Sequence, residues 1–166
     1  MSLNPQDCSS GTISIRDQAL RYIESHNVMS IATYGASGPW NAAVFYLSDG
    51  FQLIFVSSPD SRHCQDIAHD SRVAITIQEE YDDWQTIKGI QMEGTTERIT
   101  MEQQKQTIER YKRKFSFLDD PERTPENIIT ALESAAWYRV TPRSVFFIDN
   151  EKGFGYRTEI PLDPCS

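Results

Sequence analysis

Residues 55–77 read FVSSPDSRHCQDIAHDSRVAITI, an apolar run, a polar stretch with Ser61 placed to cap a short helix, and a second run rich in β-branched residues. The order is strand, short helix, strand, with the returning strand expected from Arg72 to Gln78. Upstream lie two more β-rich runs, VMSIATY (28–34) and WNAAVFYL (40–47), and the first run of the block itself extends back as FQLIFVSS (51–58). GASG separates the first two and Ser-Asp-Gly the second pair, both lengths suited to hairpins.

Further out, Ser14 with Asp17 three positions on marks a helix start, and Ile15, Ala19 and Ile23 recur every fourth residue beside Leu20. A first helix is expected from Ile15 to Ser25. Downstream, the acidic loop EEYDDWQT (79–86) leads into a long fifth strand, IKGIQMEGTTERI (87–99). Thr100 and Gln103 have capping-box spacing, and Met101, Ile108, Tyr111 and Phe115 give the next helix an apolar stripe. Thr124-Pro125 starts a further helix over 126–135, and two or three strands follow in 137–157. Antiparallel strands in near-hairpin order, with returning strands at the end, suggest a closed Greek-key barrel; periodicity alone equally allows a sandwich.

The chain of 166 residues is close to the size of one domain and needs no staples to bury a core. One domain is expected over 13–160, preceded by a disordered tail over 1–12. No apolar run approaches the roughly 20 residues of a membrane span, and the N-terminus lacks the basic start and apolar stretch of a secretory signal. The formal charge of -8 disfavours nucleic acid as a partner. Three cysteines, odd in number and without a CxxC pair, fit a reduced cytoplasmic protein, and the three histidines have no metal-ligand spacing, so no metal site is expected.

The central block and its flanks, 28–99 and again WYRVTPRSVFF (137–147), resemble the pyridoxamine 5′-phosphate oxidase-like family of FMN-binding split barrels in order and spacing. Residues 100–136 are not covered. The resemblance implies a mainly β fold with flanking helices, a Greek-key split β-barrel of the FMN-binding type, and a twofold homodimer with flavin at the seam. Residue by residue, the family's aromatic-Thr pair falls on Val56 and Ser57, and its Arg-Lys pair on Arg62 and His63. The chemistry agrees: Arg62 can fork onto a phosphate, Ser57 and Ser58 can donate hydroxyl hydrogen bonds to it, and a helix starting at Ser61 offers free N–H groups. The alternative is a capped surface helix with a solvated Arg.

The family's flavin-lining second strand aligns with 41–46, where Asn41 and Tyr46 stand at its two basic positions and Ala42 and Ala43 are small enough for a flat ring. A plain barrel strand is the alternative for the alanines. The family's flavin-reaching Gln aligns with Gly89, and Gln91 lies two residues on, on the same side. The family's closing Trp falls on Ile148, leaving Trp137 and Tyr156 unassigned.

The resemblance implies FMN as cofactor, with electron or hydride transfer performed by the flavin, and the sequence shows no GxSxG, HExxH or GxGxxG that would redirect it. The expected function is an FMN-dependent oxidoreductase acting on a small organic substrate, with no protein residue assigned as catalytic. Pyridoxamine phosphate itself is not expected, because the cations that would meet its phosphate have become Asn41, Tyr46 and His63. The alternative is a non-catalytic split barrel that binds flavin or haem.

Overall fold

A computed structural model of the chain describes residues 13–120 and 122–162, so the tail expected over 1–12 lies outside the described residues, as do Cys8 and Cys165. The elements are α1 Ile15–Ser25, β1 Val28–Gly35, β2 Gly38–Asp49, β3 Gln52–Ser57, α2 Arg62–His69, β4 Arg72–Gln78, β5 Lys88–Arg98, α3 Met101–Lys114, α4 Glu126–Ser134, β6 Ala136–Asp149 and β7 Arg157–Glu159.

The strands lie in the order β3-β2-β1-β4-β5-β6-β7, and β3 also pairs with β6, so the first six strands close into a barrel. Closure runs antiparallel from Leu53 opposite Val140 to Ser57 opposite Ala136. It leaves no open edge among those six strands over the length it spans. The short crossover α2 lets β4 return beside β1, with Ile31 opposite Ile75. The fold is therefore the split β-barrel that the resemblance implies.

Alternation fills the interior. Met29, Ile31, Leu53, Phe55, Ile75, Ile77, Ile90, Met92, Val140 and Val145 all belong to one buried cluster. α1 adds Ala19 and Ile23 to that cluster, and its N-cap is the expected one, with the Ser14 hydroxyl accepting from the Asp17 N–H at 3.0 Å. A second cluster lies outside the barrel wall, where Leu47, Ile54 and Trp137 are sealed by Ile99, Tyr111, Phe115 and Leu118. The stretch 100–136, which the resemblance leaves uncovered, thus covers one outer face of the sheet. Its capping box forms, with Thr100 accepting from the Gln103 N–H and the Gln103 side chain reaching back to the Thr100 N–H.

Two caps differ from expectation. Ser61 stands at the N-cap of α2, but its hydroxyl makes no capping bond and donates to the Ser58 carbonyl at 2.7 Å. Thr124 does not cap α4; its hydroxyl donates to the Phe117 carbonyl at 2.6 Å and ties the two turns of the insertion together.

The closing segment forms two strands, and β6 runs through Pro142 without a break. Register shifts between Glu93 and Gly94, so that Gly94 faces Pro142. A Cβ on Gly94 would stand 2.3 Å from the Thr141 carbonyl oxygen, which is why this position carries glycine. β3 pairs with β6 only as far as Val140 and β7 only from Phe146, so Pro142 sits where β6 has a single neighbour, β5, and its missing N–H can touch that one ladder at most.

Candidate functional site

Outward side chains of β1, β4, β5, the second half of β6 and the start of β2 border an open groove of about 600 Å³. Ser30, Ala32, Asn41, Ala74, Thr76 and Gln91 give it a floor of small and polar groups, while Phe146 and Arg157 stand at its β6–β7 side. The Arg157 guanidinium lies 5.4 Å from the centre of the Phe146 ring. Among the sequence-expected residues, Asn41 and Gln91 are brought into this groove. Ala43 is exposed, two residues on from Asn41 along β2, and therefore on the same outer face.

A second set gathers where β3 passes into α2. The Ser57 hydroxyl lies 2.8 Å from His63 Nε2, Ser61 lies 3.2 Å from the same nitrogen, and the two hydroxyl oxygens are 3.4 Å apart. His63 is buried, as is Cys64 beside it. Burial alone would push the Cys64 thiol up, but hydrogen bonding to His63, Ser61 and Tyr138 overcomes it, and the net shift is downward. The Tyr138 hydroxyl is pushed up to about 12 by burial and by Cys64. Ser58 is exposed and accepts from the Asp60 N–H at 3.3 Å.

Arg62 turns toward the β1–β2 hairpin. Its Nη2 donates to the Ser37 carbonyl at 3.2 Å, and its guanidinium stacks 4.4 Å from the Trp40 ring centre. Its Nε is buried and has no hydrogen-bond partner. Trp40 adjoins Asn41, so Arg62 links the α2 end of the site to the strand that enters the groove.

Three expected residues point elsewhere. Tyr46 is fully buried and its hydroxyl donates to the Ile23 carbonyl at 2.6 Å, so it works as a core residue that locks α1 to β2. Ala42 packs against the main core from inside the wall, and Val56 packs against the second cluster. The sequence reading missed Phe146, Ser144, Arg157 and Glu159 at the groove. The outward positions of SVFFID carried the signal, had the register of β6 been known.

Among the described residues no group of three or more His, Cys, Asp or Glu is placed to hold a metal ion, and no helix is long and apolar enough to cross a membrane.

Known proteins resemble the chain in sequence and in fold. The chain is 34% identical over 82 residues to a UPF0306 protein of Haemophilus ducreyi, a match spanning 48% of this chain and 56% of that relative. It is 26% identical over 137 residues to a UPF0306 protein of Enterobacter sp. strain 638, covering 81% of this chain and 88% of the relative. Among solved structures, a haem-binding protein from Mycobacterium smegmatis superposes with a TM-score of 0.66 at 20% identity, over 89% of this chain and 57% of that one. A FAD-binding protein from Mesorhizobium loti superposes with a TM-score of 0.59 at 15% identity, over 77% and 89%. The family model for pyridoxamine 5′-phosphate oxidase matches residues 15–149, from the first residue of α1 to the last of β6, and the chain belongs to that family.

Proposed function

We propose that the chain binds FMN and serves as a flavin-dependent oxidoreductase for a small organic substrate, with a second copy of itself closing the site and residues 13–160 acting as one domain. The observation that carries this reading is the polar set at the start of α2: the Ser57 hydroxyl held beside His63, and an arginine whose buried Nε lacks an acceptor. A phosphate oxygen is the acceptor such a set fits, and an arginine fork matches it better than a point charge would. In this arrangement Ser57, Ser58 and Arg62 hold the phosphate, Asn41 and Ala43 border the ring, and Gln91 reaches it from β5.

When bound, the flavin supplies electron or hydride transfer. The chain's own part is to orient it, to exclude water with the groove walls, and to present polar partners to its ring. The apolar and small-residue face left open on the barrel favours a twofold copy as the cover. Pyridoxamine phosphate is a poor substrate on this reading, since Asn41 and His63 replace cations and Tyr46 is sealed in the core.

The haem-binding neighbour favours a second reading, a barrel that binds haem without turnover. Haem iron takes His, Cys, Met or Tyr as an axial ligand. Of these types only Met92, among the described residues, borders the groove, and it is buried at 3% exposure. That weighs toward flavin.

Titration with FMN and with riboflavin tests the proposal: FMN is expected to bind more tightly by at least tenfold, about the 1.4 kcal/mol of one charge-assisted hydrogen bond. Equal affinities would remove phosphate recognition. A Soret band in purified protein, without a flavin spectrum, would favour haem.

A further inference from the structure

Two hydroxyls and one ring nitrogen meet at the start of α2, and counting their protons assigns a role to His63 that rests on the phosphate reading above. Ser61 has one hydroxyl proton, and it is committed to the Ser58 carbonyl at 2.7 Å. Toward His63 Nε2, 3.2 Å away, Ser61 can therefore only accept. For that contact to be a hydrogen bond, Nε2 must carry a proton. The same N–H then also points at Ser57, 2.8 Å away, so Ser57 accepts as well. The Ser57 proton is left without an internal acceptor, because Ser61 at 3.4 Å is beyond the range of a good O–H···O bond.

Were Nε2 bare, the reverse would hold. Ser57 would donate inward to the nitrogen and offer only lone pairs to a ligand, which is repulsive toward a phosphate oxygen. The position of one proton on His63 thus decides whether Ser57 is a phosphate donor.

We infer that His63 is a positioning residue: by donating from Nε2 to Ser57 and Ser61, it turns the Ser57 hydroxyl proton outward toward the phosphate. The charged and titratable groups near His63 are Cys64, which itself interacts with Tyr138, and Arg62, the last turned toward Trp40. A histidine that faces inward is thereby useful where an outward cation would have contacted the ligand directly.

Two measurements test this. In ligand-free protein, long-range ¹H–¹⁵N correlation on the His63 ring should show a protonated Nε2 at neutral pH; a bare Nε2 with the proton on Nδ1 overturns the inference whether or not flavin binds. In binding, His63→Leu should lower the ratio of FMN to riboflavin affinity about tenfold, the loss of one oriented donor to a charged group. His63→Gln, whose side-chain amide N–H can replace Nε2–H, should restore most of it. If His63→Leu leaves the ratio unchanged, or weakens FMN and riboflavin equally, the positioning role fails while phosphate recognition stands. If wild-type protein itself binds the two ligands equally, the phosphate reading fails first and takes this role with it.

Discussion

Over β2, β3 and the first half of β6, the outward side chains Leu47, Ile54 and Trp137 lie sealed under α3 and the turn that follows it. Over β1, β4, β5 and the second half of β6, the outward positions carry Ser30, Ala32, Ala74, Thr76, Gln91 and Phe146, and these border the open groove instead. The same sheet therefore wears two dressings. Large apolar groups suit permanent burial against the chain's own helices. Small and polar groups suit a flat, polar-edged occupant and a partner that must be shaped around it. On the proposed reading, stability is concentrated on one outer face and recognition on the other.

Trp137 gives the largest expected effect. It is 1% exposed, its ring packs edge-on against Tyr111 at 5.1 Å, and its indole N–H donates to the Leu132 carbonyl. Trp137→Ala should cost about 3–5 kcal/mol in denaturant unfolding. Phe146→Ala, on the open face, should cost no more than about 1 kcal/mol in a monomeric form, because that ring is already part-exposed. Similar losses at both sites would erase the division between the faces.

Next in size is Arg62→Ala, expected to weaken FMN binding by about 1.5 to 3 kcal/mol with an unchanged circular dichroism spectrum. Gln91→Arg should block the groove from the other side. If each site draws Arg62 from one copy and Gln91 from its partner, a mixed dimer of the two variants recovers one intact site in two. Flavin stoichiometry after mixing reads this directly, and no recovery would place both residues on one copy's site.

The smallest effect belongs to the rim. The Arg72 guanidinium, 2.5 Å from Asp70, holds that carboxyl down at about 2. A folded-state value below the unfolded one, about 3.9, means the pair stabilises at neutral pH, and the contribution is lost as pH falls from about 4 through about 2. Both groups face solvent, so the loss is small. Asp70→Asn should flatten the melting temperature against pH over that window and leave flavin affinity alone; an unchanged acid slope would discount the pair.

Local signals carried much of the fold. The bounds of α1 and β4, the Ser14 cap and the Thr100 capping box follow from residues a few positions apart, and the structure has them where the sequence places them. Tyr46 shows where that reading stops. Alternation along WNAAVFYL distinguishes two faces only if one of them meets water, and at Tyr46 and Leu47 both sides are buried, one by the barrel core and one by the insertion. At the candidate site, residue types and spacing single out Ser57 and His63, and the structure places them 2.8 Å apart. The turn of Arg62 toward Trp40 was not legible, because it depends on a hairpin more than twenty residues upstream.

Gly35, at the end of β1, sets a dimension of the site that no ligand-facing residue sets. The Asp66 carboxylate of α2 lies so close that a Cβ on Gly35 would stand 1.9 Å from its Oδ1, and the other oxygen accepts from Thr33 at 2.9 Å. The depth at which α2 seats is thus gauged by the absence of one carbon atom. Because Arg62 and His63 ride on that helix while β1 also lines the groove, the glycine works as a spacer between the two halves of the site. A methyl group there would have to displace the Asp66 carboxylate, and with it either the Thr33 bond or the seat of α2 against β1.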